Sequence, residues 1–239
     1  MIMGDRQLFT TCAGSLGHLF ARPESRASNV TLTNVHFHGP ATIGANGPLV
    51  LAQDTFGDTA MLDSSNGGLS VNATTFVGAA SLTAEASGHI TTTNTTFKST
   101  ALLSAANGAI SFTSTTFAGT VTVTDAGTFT TTQAAFQAGA TVRASGAINI
   151  SATFGEQGNY QLIATNGDIE LTLSSDLSFH VDTSTTNGSI SSDFPTIRVT
   201  TDPNTNATQA HGDVGLSGNA SKLKFTLTAD NGAVRIHRV

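Results

Sequence analysis

The chain has 239 residues, a net charge of −6 and only 11% charged side chains. That length suits one large elongated domain, and a 38% hydrophobic content laid out periodically excludes a disordered chain. The acidic balance, the lack of Trp and the solitary Tyr160 argue against a nucleic-acid partner and against a membrane-interface belt.

Residues 1–26 fit no repeat and are expected to form an N-terminal cap or flexible lead, basic through Arg6, Arg22 and Arg26. The opening MIMGDRQLFTTCAG lacks a basic region followed by an apolar one, so no export signal is visible. Cys12 is the one cysteine, which leaves no intramolecular disulfide. No apolar run is long enough to span a bilayer, so direct membrane insertion is not expected.

From residue 27 to 239 the chain reads as a β-solenoid. The unit is clearest at Asn107–Ala126, NGAISFTSTTF followed by AGTVTVTDA. Two strands are expected. Ile110, Phe112 and Ser114 face inward on the first, Val121 and Val123 on the second, and Phe117 falls out of phase between them. Six Asn-Gly pairs, at 46, 66, 107, 166, 187 and 231, open the coils, and their tolerance of positive φ supplies the turn. The turn glycines from Gly47 to Gly188 recur every 19 to 21 residues, and the phenylalanines from Phe37 to Phe154 every 18 to 21. β-Hairpins would explain isolated Asn-Gly pairs. They would not explain a phenylalanine at a fixed offset. The reading is therefore all-β: a single-domain parallel β-solenoid with about 20 residues per coil, stabilised by stacking. General crossover handedness makes it right-handed.

In the first coil, His36 and His38 share a strand face. A metal site there needs ligands from the next coil, whose equivalents are Thr55 and Gly57, so solvated histidines are expected. The middle coils hold two bases, Lys98 and Arg143, and present a nearly uncharged hydroxyl and amide flank. Threonines such as Thr91, Thr93, Thr128 and Thr130 raise an ice-binding array. The expected matching positions, Ala109 and Ser111 or Ala147 and Asn149, interrupt it.

From Tyr160 the pattern tightens into QLIATNGDIELTL, FHVDTSTTNGSISSD and KLKFTLTADNGAVRIHRV. These phrases resemble a bacterial adhesin family, domains of unknown function built on Asn-Gly-(Asp/Ser)-Ile repeats. The earlier coils resemble haemagglutinin-like solenoids. The resemblance implies a solenoid at the cell surface or in the envelope and brings no catalytic residues. Residues 200–215, with Pro203 and little apolar content, read as an irregular loop. Lys222, Lys224, Arg235 and Arg238, with Arg198 upstream, read as charges that blunt an exposed edge, with a basic binding patch as the alternative.

Catalysis finds little support. Asp168 and Glu170 are the best acidic pair, and the expected neighbours on adjacent coils are Ala147 and Asn149 or Ser189 and Ser191. No P-loop, GxSxG, HExxH or zinc spacing occurs. The expectation is a non-enzymatic, adhesin-like or structural protein of the surface or envelope, with glycans or surface polymers as partners and no cofactor. The alternatives are a polysaccharide-acting β-helix enzyme and an internal scaffold.

Overall fold

The computed structural model describes residues 8–11, 15–16, 29–86, 88–205, 207–215 and 222–239. Every regular element among them is a strand, and the strands form a parallel solenoid with roughly 20 residues per coil. Rungs stack in register. Ile90 lies between Leu69 and Ile110, and Leu103 between Leu82 and Val123.

Each coil from Val30 to Ala126 has three strands, as in Ile90–Thr93, Thr96–Phe97 and Ala101–Ala105, and in the next two coils the first two strands run together as Thr128–Phe136 and Ile148–Phe154. This corrects the two-strand unit. The cause is a residue in left-handed conformation after the first strand: Asn34, Gln53, Ala73, Asn94 and Ser114, with Gln133 at the same place inside Thr128–Phe136. One such residue breaks the two-residue alternation and re-aims the chain. Ser114 (φ 48°) is thus the corner itself rather than an inward residue, and Thr115 behind it is fully buried. The reset also puts Phe117 back inside.

The phenylalanines form one stacked column. Ring centroids are 4.7 Å apart for Phe37–Phe56, 4.9 Å for Phe56–Phe76 and 4.9 Å for Phe97–Phe117, with planes within 10°. The column loosens to 6.0 Å at Phe136–Phe154 and ends edge-on against Tyr160. Each buried ring contributes about 1.5–3 kcal/mol of transfer free energy.

The glycine column has a different cause from the one expected. Of the six Asn-Gly pairs, all within the described residues, only Asn107 has positive φ. What the turns need is proximity. A Cβ on Gly67 would run into the backbone of Gly47 and Pro48, and one on Gly232 into the carbonyl of Gly167. At these positions successive turns are packed backbone against backbone, which only glycine allows.

The corner opposite carries buried polar groups. Asp54 accepts from the Val35 N–H (2.7 Å) and the Ala52 N–H (3.0 Å). On later coils, Thr95 and Thr115 donate to the carbonyls of Thr93 (3.0 Å) and Thr113 (3.1 Å). These side chains satisfy backbone groups that the bend takes out of the ladder.

Two ends depart from expectation. Leu8–Thr11 and Ser15–Leu16 pair with Val30–Thr33 and His36–Phe37 as a further parallel rung, so this part of the lead belongs to the stack. The rest of residues 1–26 lies outside the described residues. Residues 200–215 are not a loop. Arg198–Thr201 and Thr208–Val214 are antiparallel strands, and the second pairs along its whole length with Phe179–Thr185. Its inward residues, Thr208, Ala210, Gly212 and Val214, are small, and a Cβ on Gly212 would sit 2.8 Å from the Thr196 carbonyl oxygen.

The last strands are also out of order. Leu223–Ala229 lies between Gly158–Ala164 and Phe179–Thr185, parallel to both. Val234–Arg238 likewise lies between Ile169–Leu173 and Ile190–Ser192. The C-terminal coil is inserted between two coils that precede it in sequence.

Candidate binding face

Three outward columns run up the longer coils, fixed by ladder register. The first contains Ser70, Thr91, Ser111, Thr130 and Asn149. The second contains Asn72, Thr93, Thr113, Thr132 and Ser151. On the two-residue strands, Thr55, Thr75, Thr96 and Thr116 form the third. The ladder sets Ser111 and Thr113 beside Thr91 and Thr93, and Ala109 and Ser111 beside Thr128 and Thr130. The hydroxyl and amide columns therefore run without a break from Ser70 to Asn149 and from Asn72 to Ser151. Rungs repeat at about 4.8 Å and alternate outward residues at about 6.6 Å along a strand. The result is a neutral lattice of groups that both donate and accept.

The opposite sheet is less regular. Its outward positions include Met61 and Leu102, 58% and 44% exposed, among threonines and serines.

Charge gathers at the C-terminal coils. Because the inserted coil sits next to Ile169–Leu173, the neighbour of Glu170 is Arg235, not Ser191. Arg235 Nη1 donates to Asp168 (2.6 Å) and Glu170 (3.2 Å). The Ala233 N–H and then Arg235 hold the Asp168 carboxyl below its usual range. Both candidate acids are thus engaged by a guanidinium, and the ladder partners of Glu170 are Asn149 and Arg235. Lys224 and Arg235 lie on interior strands, so they do not guard an edge. Among the described residues, the C-terminal edge of the sheet that holds Lys224 is Arg198–Thr201, so Arg198 does lie on an edge.

His180 bridges two carboxylates, Nδ1 to Asp213 (2.8 Å) and Nε2 to Asp182 (2.9 Å). Asp213 first, then Asp182, raises the imidazole above its ordinary value despite partial burial. Beside this pair, Asp182, Ser184, Gln209, His211, Thr226 and Thr228 line a shallow groove. Sequence reasoning missed this cluster, because it depends on an antiparallel strand placed where a loop was expected. His36 and His38 are exposed with ring centroids 4.5 Å apart, and no group of three or more metal-ligating side chains occurs among the described residues. Buried polar groups elsewhere serve the fold. Burial raises the Asp54 carboxyl against the two N–H donors that lower it. Burial also pushes Tyr160 up to about 12, its hydroxyl donating to the Phe136 carbonyl at 3.0 Å.

Stacked coils with shared Asn-Gly turns, from the first long coils through the inserted last one, form a single repeat pattern, and residues 24–237 match the family model described as Toastrack DUF4097. The chain belongs to the Toastrack family. The match covers both the phenylalanine-marked coils and the tighter C-terminal ones, so the Toastrack domain takes in the out-of-order insertion as well as the regular stack. No curated protein and no solved structure matches the chain. Among the described residues of this Toastrack domain, no helix is long and apolar enough to cross a membrane.

Proposed function

We propose that this Toastrack domain is a non-enzymatic, adhesin-like binding rod of the cell surface or envelope, and that its hydroxyl and amide columns contact a neutral glycan or surface polymer. The observation that carries the reading is the column Asn72, Thr93, Thr113, Thr132 and Ser151, held at constant spacing by ladder register. Such a lattice is matched to a polymer that repeats hydroxyls along its length. Each contact is weak, so affinity comes from many contacts made together. The capture of Asp168 and Glu170 by Arg235 weighs against the polysaccharide-cleaving alternative, which needs one free acid and one free base.

Location is tested on intact cells expressing the gene with its own upstream region. Protease added outside is expected to digest the protein while a cytoplasmic control survives. Survival until lysis would remove the adhesin reading and leave an internal scaffold.

A further inference from the structure

The C-terminal coil occupies a slot bounded on both sides by strands made earlier in the chain. On one side Leu223–Ala229 forms seven residue pairs with Gly158–Ala164, and on the other six with Phe179–Thr185. Phe225 closes the core there, its ring 5.1 Å from Tyr160 and 5.6 Å from Phe179. The slot is also selective. Gly232 is required because a Cβ would strike the Gly167 carbonyl, and a Cβ on Gly188 would strike that of Gly232. Asn231 links the asparagines on both sides, donating to Asn166 (3.1 Å) and accepting from Asn187 (2.8 Å). Arg235 supplies the positive charge that Asp168 and Glu170 face.

None of these interactions depends on which copy of the chain supplies the segment. Both walls of the slot are synthesised before its occupant, so until residues 222–239 arrive two strand edges of matching pattern stand open. Open edges are templates for pairing with another chain. We infer that the slot accepts the C-terminal strand pair of a second copy of this chain, so that two copies join by reciprocal exchange of Leu223–Arg238. Exchange of an identical element costs little, because each slot is filled by the same side chains in the same register whichever copy provides them.

The test uses two full-length chains with different tags, both in a Cys12→Ser background. One carries Asn159→Cys and the other Lys224→Cys, exposed outward residues that are direct partners across the slot. The chains are unfolded, refolded together at high concentration and oxidised. A disulfide-linked product bearing both tags is expected, its yield falling as the refolding concentration is lowered. It is expected to be absent when the chains are refolded apart and then mixed. If no doubly tagged product forms on co-folding, or if equal amounts form after separate folding, exchange is overturned. Should either variant fail to fold, Gln161→Cys with Thr226→Cys offers a second exposed pair in the same register, read in the same way.

Discussion

The phenylalanine-marked coils and the C-terminal coils are built on the same turn chemistry yet solve the stacking problem differently. In the first region space follows sequence. Each rung meets the rung before and the rung after, and one stacked aromatic column runs through all of them. In the second region the column ends at Phe154 and Tyr160, edge-on ring contacts replace it, and the chain's last coil is set between two earlier ones. A repeat pattern therefore dictates what a rung looks like, but not which rung it will touch. Order is left to features that differ between rungs, such as the charge on Arg235.

The largest effect should come from the aromatic column. Phe117→Ala removes a fully buried ring stacked on both sides and should cost about 3–5 kcal/mol in chemical denaturation. A near-neutral result would place Phe117 outside the core and undo the register. Next comes the buried corner. Asp54→Ala leaves the Val35 and Ala52 N–H groups without their acceptor and should cost about 1–3 kcal/mol. An unchanged midpoint would mean that water replaces the carboxylate there.

The remaining two predictions concern the C-terminal coils. Arg235→Ala should lower stability more at low salt than at high salt, because the lost pairs are partly exposed. A salt-independent loss would assign Arg235 to packing. The smallest effect is the His180 bridge. Its folded pKa is raised above the ordinary value of 6.5, so its stabilisation is complete below that value and is lost as pH rises through the folded one. The facing groups are Asp182 on its own strand, Asp213 on the antiparallel neighbour and Lys224 on the inserted strand. Lys224 opposes the protonated form and does not change the sign set by the two carboxylates. Denaturation midpoints of wild type and His180→Asn should differ most at about pH 6 and converge at higher pH. A gap that widens with pH would contradict the bridge.

Much of the first region was legible. The spacing of Phe37 to Phe154 gave the coil length and the core column, since nothing but stacking demands a ring at that interval. The third strand was not legible, because Thr116–Phe117 spans two residues and a period cannot show in two. Its corner carries Asn, Gln, Ala or Ser, which share no signature beyond tolerating the bend. The glycines sit where the period puts them, but close approach rather than positive φ is what most of them serve. A turn glycine and a close-approach glycine look alike in sequence, and only the neighbouring backbone tells them apart. In the second region the three tight phrases are interchangeable as patterns, so their order in space could not be read from them. Two faint signals were present: the alternation Thr208, Ala210, Gly212, Val214 against Gln209, His211, Asp213, and the positive charge of Arg235, of the right sign for Asp168 and Glu170. The proposed binding face was half legible. Its neutral composition was clear, whereas its continuity depended on which threonine met which across rungs.

That continuity is the property most worth measuring. Co-sedimentation with insoluble chitin, cellulose and β-1,3-glucan would be compared for wild type, a Thr93→Lys/Thr113→Lys/Thr132→Lys variant, and a Thr122→Lys/Thr141→Lys variant on the opposite sheet. Wild type and the opposite-sheet variant are expected to bind at least one of these polymers, and the triple variant is expected not to. Retention of the triple variant at the wild-type level, or binding by none of the three proteins, would contradict the hydroxyl columns as the binding face for a neutral glycan.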